Sequence, residues 1–345
     1  MQLKCPMPKL DFDVITLGHG SGGTLTSQLL QTGVFNLFEN ELLNKKHDGA
    51  IFNMEGRTAM STDSFVVSPL FFEGGNIGDL AVNGTVNDLA MCGASAKYLS
   101  LGFILEEGLK MTDFWNILNT IKSSAETAGV QIITGDTKVV ERGKGDMIFI
   151  NTTGIGTVHK RACIDIENIK VEDKIILSGP LARHGITIMS HRHGLEFETT
   201  VSSDTRPLNK VVTALLDAFG EDIHLLRDPT RGGLATVLNE IAQDSNTGID
   251  IAQKYIPIEE EVCGACEMLG LDPLYVANEG LFVSVVNPAI AEEYVRKLQE
   301  WEHGSMASII GEITEEHRRQ VVMRSNIGGR RVVNMLAGEQ LPRIC

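Results

Sequence analysis

Single aspartates recur along the chain beside turns and small residues, and they are its first candidates for chemistry. Magnesium is a hard cation that takes carboxylate and phosphate oxygens, so aspartates far apart in sequence can converge on one metal site. Each aspartate alone is better explained as a turn or capping carboxylate. Together, in this order, they favour a metal site. They are Asp63 in the stretch 61–65, Asp88 in 87–90, Asp136 in 134–138 and Asp228 in 227–233.

A glycine-rich stretch, Gly18-His19-Gly20-Ser21-Gly22-Gly23, follows a short strand predicted at 14–17. Glycine lets backbone N–H groups approach phosphate oxygens closely, and a following helix would add its N-terminus. The stretch matches G-x-G-x-x-G, but the helix predicted behind it is too short for a dinucleotide-binding unit. A plain glycine turn is the alternative. No G-x-x-x-x-G-K-[ST] sequence occurs, so any nucleotide is held without that phosphate loop.

The chain ends in a nucleophilic side chain, Cys345. Pro342 stiffens the approach to it and Gly338 offers a hinge. Arg343 favours the thiolate, although the terminal carboxylate opposes that effect. An extended chain from Gly338 to Cys345 reaches roughly 25 Å, so the thiol could visit more than one site. An inert tail that happens to end in cysteine is the competing interpretation.

The composition limits the class of protein. A chain of 345 residues, with 43% hydrophobic and 22% charged residues, is long enough for two domains with ordinary cores. The net charge of −15 argues against binding to nucleic acid or to an anionic membrane. No apolar run approaches the ~20 residues of a membrane span, and residues 1–13 lack a signal-peptide pattern. The six cysteines are mostly far apart, so we expect free thiols in a reducing cytoplasm.

Helical and strand patterns alternate in both halves of the chain, which predicts two α+β domains. The pattern becomes polar around 160–172, where we place the boundary between them. The predicted elements include a strand at 58–67 that carries Asp63, helices at 75–92 and 111–128, strands at 97–105, 130–134 and 274–286, and a turn at 135–138.

Several stretches form a set that resembles one family, the HypE hydrogenase-maturation proteins. The wider superfamily includes aminoimidazole ribonucleotide synthetase, selenophosphate synthetase and thiamine monophosphate kinase. The aspartate motifs are typical of the whole superfamily, and the terminal Pro-Arg-Ile-Cys is typical of HypE. The resemblance covers nearly the whole chain, from about Gly18 to Cys345. The matching stretches are 63–65, 87–94, 135–138, 228–233, 278–280 and 342–345.

The resemblance implies a two-domain α+β fold of the aminoimidazole ribonucleotide synthetase (PurM-like) type, each half a sheet packed with helices. It also implies a homodimer formed through the N-terminal domains, with ATP near that interface. The expected divisions are an arm with the glycine-rich loop (1–40), an ATP-binding and dimerisation domain (41–160), a second domain (161–335) and a flexible tail ending in the reactive cysteine (336–345).

The activity implied by the resemblance is that of a cytoplasmic carbamoyl dehydratase that uses ATP and Mg²⁺. A partner carbamoyltransferase loads a carbamoyl group onto the thiol of Cys345. The enzyme then dehydrates the thiocarboxamide to a thiocyanate. Partner maturation proteins accept the cyano group and pass it to the iron of the [NiFe]-hydrogenase.

The resemblance also assigns roles to individual residues. Glu279 would be the base that removes protons from the carbamoyl nitrogen, with Lys138 orienting it or stabilising charge. Arg231 could hold phosphate, or be a solvated charge at a helix start. The remaining assignments are metal binding by Asp63, Asp88, Asp136 and Asp228, and nucleotide or phosphate binding by Gly20, Ser21, Gly22, Gly23, Asn87, Thr137 and Arg231.

Two other functions are open. Selenophosphate synthetase carries a reactive cysteine with a lysine near its N-terminus, which Cys5 with Lys4 or Lys9 loosely matches. A C-terminal cysteine has no role in that chemistry. The second alternative is a non-catalytic carrier that hands a one-carbon ligand between partners. Such a carrier would need Cys345 but neither Glu279 nor the aspartates.

Two further patterns favour structural roles. Cys263 and Cys266 form a single C-x-x-C with no second pair or nearby histidine pair, so structural thiols are favoured over a metal or redox site. His184, His191 and His193 cluster in sequence, but without a clear further ligand they are better explained as solvated or hydrogen-bonded histidines than as a transition-metal site.

Overall fold

The computed structural model describes residues 12–194, 201–335 and 344, and these form two α+β domains, as the sequence predicts. None of the helices in this described part is both long and apolar enough to cross a membrane. The helices are α1 (Thr24–Gln28), α2 (Ile77–Met91), α3 (Met111–Ala128), α4 (Arg183–His193), α5 (Asn209–Phe219), α6 (Gly233–Asp244), α7 (Glu260–Leu269) and α8 (Ala291–Gln299). The strands are β1 (Thr58–Phe65), β2 (Phe71–Phe72), β3 (Gly75–Asn76), β4 (Ala94–Glu106), β5 (Gln131–Val140), β6 (Ile148–Val158), β7 (Lys174–Leu177), β8 (Ile223–Arg227), β9 (Gly248–Ala252), β10 (Val283–Val286), β11 (Ser308–Thr314), β12 (Val321–Arg324) and β13 (Arg330–Val333).

The first domain is built on a four-stranded sheet in the order β1-β6-β4-β5. β4 and β5 are parallel, and the other neighbours are antiparallel. Helix α2 lies on one face, where the Thr152 hydroxyl of β6 donates to the carbonyl of Ala81 at 2.9 Å. Side chains alternate between the two faces along a strand. The opposite face carries Met60 and Ile104, which are 68% and 45% exposed.

Periodic apolar residues and caps explain the two long helices of this domain. In α3, Phe114, Leu118 and Ile121 recur at helical spacing and are all buried. Gly129 ends the helix in the left-handed conformation (φ 75°). At the start of α2, the Asn76 side chain accepts a backbone N–H hydrogen bond at 2.8 Å. Both predicted helices are therefore confirmed.

The second domain is built on a seven-stranded sheet in the order β13-β12-β9-β11-β7-β10-β8. β9 and β12 are parallel, and the other neighbours are antiparallel. Apolar clusters cover both faces of the central strands. Ile175 and Leu177 of β7 join the cluster that includes α6 and α7, whereas Ile176 joins the cluster of α5 and α8.

Helix α2 also joins the two domains. Ala90 packs into the apolar cluster of α5 and α8. The buried side chain of Asn87 accepts the N–H of Leu208 (2.8 Å) and donates to the carbonyl oxygens of Arg206 (3.0 Å) and Glu279 (3.3 Å). These contacts hold the second domain against α2, the helix that carries the candidate site residues Asn87 and Asp88.

The predicted end of β5 is wrong. The strand continues through residues 135–138, which we had expected to form a turn, because they pair in parallel with β4. The glycine at 135 fits there because a Cβ would stand 2.2 Å from the Leu101 carbonyl oxygen of β4. Asp136 and Lys138 are therefore strand residues on the open face of the sheet.

Two other predicted strands are shorter than expected. Of the strand predicted at 274–286, only Val283–Val286 forms a ladder, and Pro273–Tyr275 is a 3-10 turn. The strand predicted at 14–17 is reduced to a single bridge between Val14 and Lys110.

We expect Leu118→Ala to lower the free energy of unfolding by about 2–5 kcal/mol, because it leaves a cavity where a side chain only 1% exposed now packs. Urea unfolding followed by circular dichroism measures the change. Glu126→Ala, at an exposed position of the same helix, is the control and should shift stability by less than about 0.5 kcal/mol. Equal effects of the two substitutions would contradict the packing of α3.

Candidate active site

Four carboxyl groups from the two domains line one cavity of about 180 Å³. Asp63 stands on β1 and Asp88 on α2, both in the first domain. Asp228 follows β8, and Glu279 lies in the loop before β10, both in the second domain. Arg231 lines the same cavity. The structure thus brings five of the sequence-predicted site residues together where the domains meet.

The two carboxyl groups of the first domain are partly buried and hydrogen-bonded. Asp63 Oδ1 accepts the N–H of Ser64 at 2.7 Å, and Asp88 Oδ2 accepts the hydroxyl of Ser61 at 2.6 Å. Burial raises the pKa of both carboxyls, although these hydrogen bonds oppose the rise. The negative charge of Asp63 adds to the raised pKa of Asp88, because neighbouring like charges resist ionising together.

The two carboxyl groups of the second domain have strongly raised pKa values, and Glu279 is only 4% exposed. Burial raises the pKa of Asp228 to about 7, and the charge of Asp88 adds to the shift. Burial, and then the surrounding aspartates, hold the pKa of Glu279 well above its usual range. Glu279 Oε1 has no hydrogen-bond partner among the described residues. A buried acceptor without a partner fits a site that receives a cation or a proton.

The backbone of Glu279 is held by the carboxylate of Asp204. Asp204 Oδ1 accepts the N–H of Glu279 at 3.2 Å, and Oδ2 accepts the N–H of Gly280 at 3.0 Å. A Cβ at Gly280 would stand 1.7 Å from the Asp204 carbonyl oxygen, so this approach requires glycine. The Asn278 side chain donates to the carbonyl of Pro229 at 2.8 Å, which ties this loop to the one that carries the second-domain aspartate.

Arg231 is placed by the sharp start of α6. Gly232 and Gly233 both adopt positive φ (75° and 62°), and a Cβ on Gly233 would stand 2.6 Å from the Leu274 carbonyl oxygen. This turn leaves Arg231 lining the cavity, where its positive charge opposes the rise in the pKa of Asp63.

A second cavity, of about 230 Å³, lies in the first domain beside the glycine-rich stretch. Phe35 and Phe38 contribute to an apolar wall. Asp136 and Lys138 stand at its β5 side and form an ion pair at 2.7 Å. The hydrogen bonds from Lys138 lower the pKa of Asp136. An apolar wall beside a few polar groups is typical of a small-molecule site.

The sequence-predicted site residues are therefore divided between two cavities of the chain. Lys138 pairs with Asp136 and not with Glu279, so its expected role beside the base stays a prediction. Ser21 and Gly23 are sequence neighbours of residues that line the second cavity. The Ser21 hydroxyl donates a hydrogen bond to the backbone carbonyl of Gly18. Predicted residues that line the second cavity are Gly20, Gly22, Asp136, Thr137 and Lys138. Asn87 lines neither cavity. Its side-chain amide binds the backbone groups described above, and its role in nucleotide binding also stays a prediction.

Cys345 lies outside the described residues, but its neighbour Ile344 is described. Ile344 is 3% exposed and belongs to the apolar cluster that includes Phe72 and Ala277. Its carbonyl oxygen lies 2.8 Å from Nε2 of His184. The chain beside the candidate nucleophile is therefore seated in the protein.

Two residues of the site escaped the sequence analysis. Ser61 could have been found, because it precedes Asp63 by two residues in a strand and so shares its face. Asp204 offered no signal, since its contact with Glu279 joins residues 75 positions apart.

The C-x-x-C pair, His184 and His191 stand apart from the four carboxyl groups. Cys263 is exposed on α7, whereas Cys266 is buried and burial raises the pKa of its thiol to about 12. His184 is buried and hydrogen-bonded through both ring nitrogens, as expected for a structural histidine. His191 is exposed on the same helix.

Comparison with known families identifies the class of protein. Residues 46–158 match the N-terminal domain of AIR synthase related proteins, and residues 170–324 match their C-terminal domain. The chain is thus a two-domain AIR synthase related protein, with its acidic cavity where these domains meet.

Individual relatives narrow the class. The chain is 47% identical over 346 residues to the carbamoyl dehydratase HypE of Bradyrhizobium diazoefficiens, covering 99% of this chain and 100% of the relative. A crystal structure of hydrogenase maturation protein HypE in complex with ATP matches with a TM-score of 0.92 at 46% identity, covering 95% of this chain and 99% of that one. A crystal structure of a HypE–HypF complex matches with a TM-score of 0.79 at 42% identity, covering 91% and 100%. This chain belongs to the HypE family of carbamoyl dehydratases.

We expect Asp228→Asn to be more stable than the native chain above neutral pH. The folded-state pKa of about 7, against an ordinary 3.8, means that folding favours the neutral carboxyl. Native stability is therefore lost progressively between about pH 4 and pH 7, where only the unfolded chain ionises freely. The variant lacks this loss, so the gap in its favour should open over that range and level off at roughly 4 kcal/mol.

Urea unfolding at a series of pH values, with EDTA to remove divalent cations, measures this gap. Asp244→Asn, at an exposed position on α6, is the matched control and should follow the native curve. Native and Asp228→Asn curves that run parallel from pH 4 to pH 8 would contradict the raised pKa of Asp228.

Proposed function

We propose that this chain is an ATP-dependent carbamoyl dehydratase that converts a thiocarboxamide on Cys345 to a thiocyanate. The cyano group would supply the cyanide ligands of a [NiFe]-hydrogenase iron centre. One observation carries the proposal: in a chain of the HypE family, buried Glu279 shares a cavity with three aspartates, and its Oε1 has no partner among the described residues.

Dehydration of a carbamoyl group requires a better leaving group than hydroxide. In the proposed reaction the carbamoyl oxygen attacks the γ-phosphorus of ATP, the bond from that phosphorus to the bridging oxygen breaks, and ADP leaves. The carbamoyl nitrogen loses two protons in total as the C–O bond breaks and phosphate departs, which leaves –S–C≡N. The carbon keeps its oxidation state, so no oxidant or reductant is required.

Glu279 is the residue that we assign to proton removal from the carbamoyl nitrogen. A buried carboxyl among aspartates has a raised pKa, and its ionised form is a stronger base than a solvated carboxylate. Positive charge in the cavity, such as that of Arg231, favours the ionised form. The backbone contacts with Asp204 keep the Glu279 main chain in place while its side chain carries the proton.

The donor set of the acidic cavity fits Mg²⁺. Asp63, Asp88 and Asp228 offer the oxygen ligands that a hard cation binds, and their burial with little positive charge favours cation uptake. When bound, Mg²⁺ neutralises phosphate charge during phosphoryl transfer. We propose that these three aspartates hold the metal, whereas Asp136, which lines the second cavity, stays a predicted ligand.

We propose that the nucleotide binds in the second cavity and extends from there towards the aspartates of the acidic cavity. A HypE protein has been crystallised with ATP, which supports nucleotide binding by this chain. The apolar wall with Phe35 and Phe38 suits a purine base, and the backbone at 20–23 together with Thr137 suits phosphate oxygens.

A partner must deliver the carbamoyl group to Cys345, and we propose a carbamoyltransferase of the maturation pathway. The solved HypE–HypF complex supports a direct contact between this chain and another maturation protein. A maturation complex would then accept the cyano group. Among the described residues Cys92, Cys163, Cys263 and Cys266 are free thiols, which supports a reducing cytoplasmic setting.

The competing functions make different demands on Glu279. A carrier needs the thiol alone, and a selenophosphate synthetase would use the N-terminal Cys5, which lies outside the described residues. We expect Glu279→Gln to retain carbamoylation of Cys345 but to lose roughly 10²–10⁴-fold in the rate of dehydration, because a general base contributes about that much.

Intact mass of the protein, after incubation with the partner carbamoyltransferase, carbamoyl phosphate and Mg-ATP, follows both steps. Glu260→Gln, at an exposed position on α7, is the matched control and should dehydrate at the native rate. Cys345→Ala should take up no carbamoyl group. Full dehydration by Glu279→Gln would remove the base from the mechanism, whereas native protein that is carbamoylated but loses no water would favour the carrier.

We propose that the open face of the first-domain sheet forms the homodimer interface. It exposes Met60 and Ile104, and large apolar residues on an uncovered sheet face mark interaction sites. Asp136 and Lys138 stand on this face beside the second cavity, so a dimer formed through it would place them at the interface.

We expect Ile104→Lys to convert a native dimer to a monomer, because it places an uncompensated charge in the interface. Light scattering after size exclusion measures the mass. Ile327→Lys, at a 97% exposed position in the second domain, should leave the dimer intact. A native protein that is monomeric at micromolar concentration would overturn the interface.

A further inference from the structure

His184 joins the C-terminal tail to the body of the protein. It is fully buried in the first turn of α4. Its Nε2 lies 2.8 Å from the carbonyl oxygen of Ile344, and its Nδ1 lies 2.8 Å from the hydroxyl of Ser203. The ring stands edge-on to Phe72, with centroids 5.5 Å apart. His184 takes no part in the proposed dehydration steps.

The direction of each hydrogen bond around His184 follows from its neighbours. The N–H of Thr205 donates to Ser203 Oγ at 3.2 Å, so that hydroxyl is free to donate its own proton to His184 Nδ1. The ring proton then sits on Nε2, the only position from which it can donate to the Ile344 carbonyl. Full burial lowers the pKa of His184, which agrees with a neutral ring. The chain of donors therefore ends on the tail backbone, one residue before Cys345.

The same segments hold the loop of the proposed base. Asp204, next to Ser203, accepts the N–H groups of Glu279 and Gly280. On the other side, the N–H of Ala182 donates to Asn278 Oδ1 at 2.6 Å, and the N–H of Gly185 donates to the Ala277 carbonyl at 3.0 Å. The residues that flank His184 and Ser203 are thus bonded directly to the loop 277–280.

We propose that His184 is a positioning residue, which holds the Ile344 carbonyl through Nε2–H and so sets the tail in register with Glu279. The inference rests on the proposed function, since the register matters only if Cys345 carries the carbamoyl group. The apolar packing of Ile344 holds the end of the tail in the protein, in what we call the seat. The hydrogen bond from the His184–Ser203 pair sets the orientation of the Ile344 carbonyl. Leaving the seat would cost the tail this hydrogen bond and expose Ile344, so both contacts stabilise the seated state.

The first test is independent of catalysis. It measures the rate at which iodoacetamide alkylates Cys345, by peptide mapping of the full-length protein without ATP or partner. We expect alkylation to be about tenfold faster in His184→Phe and in Ile344→Ala, because each removes about one interaction that keeps the tail seated. His184→Gln keeps an amide donor and should restore part of the protection. His191→Gln, at an exposed position on the same helix, is the matched control and should behave as native.

The second test measures single-turnover dehydration of carbamoylated protein at saturating Mg-ATP. We expect a loss of about tenfold in His184→Phe, partial recovery in His184→Gln, and unchanged uptake of the carbamoyl group from the partner. In the double variant His184→Phe with Ile344→Ala, the two losses should not multiply, because both act on one seated state. A general loss of structure would instead slow carbamoyl uptake as well.

The outcomes separate the inference from the proposed function. Equal alkylation rates in native, His184→Phe and Ile344→Ala proteins would overturn the seat, whatever the dehydration rate. Faster alkylation with native dehydration would overturn the positioning role. Native protein that is carbamoylated but never dehydrated would remove the proposed function, and alkylation would still decide whether His184 holds the tail. If His184→Phe fails to fold, Ile344→Ala alone decides the seat, since it changes only a tail residue.

Discussion

The crowding of carboxyl groups where the two domains meet is the constraint on which the rest of the structure depends. Asp63, Asp88, Asp228 and Glu279 share one small cavity with the positive charge of Arg231. Burial makes each charge costly, and neighbouring ionised carboxylates also repel one another. The raised pKa values are the direct result. The cavity is therefore poised to take up protons or cations, and the surrounding fold must hold the groups together against their repulsion.

That restraint comes from hydrogen bonds to the backbone. Asn87 binds backbone groups of the second domain from a helix of the first. Asp204 binds the loop of Glu279, and Asn278 binds the loop of Asp228. These side chains need not contact a substrate to matter for the reaction, because each one positions a segment that carries a residue of the cavity. Polar side chains buried between domains can thus serve a reaction as positioning groups.

Local pattern was enough to predict the elements that build the frame. The spacing of Phe114, Leu118 and Ile121 gave α3 its predicted bounds, because one apolar face dictates a helix. The aspartates on β1, on α2 and after β8 do line one cavity, as expected of aspartates that share a site, whereas Asp136 lies at the second cavity. The strand position of Lys138 was harder to predict. Gly135 is typical of a turn, but here it allows the close approach of the parallel strand β4.

The contacts that specify the chemistry were beyond the sequence. Asp204 meets Glu279 through a backbone contact between distant segments, and no periodicity reports such a pairing. The loop that holds Glu279 looked like a strand because its flanks are apolar, yet its central residues are fixed by side chains and not by a ladder.

Ile344 and the cavity belong to one polypeptide, and this changes the kinetics of the reaction. The reacting group never has to be captured from solution, since its concentration near Glu279 is set by the length and the seating of the tail. Dilution of the protein should leave such a step untouched, whereas the meeting with a carbamoyl donor remains bimolecular.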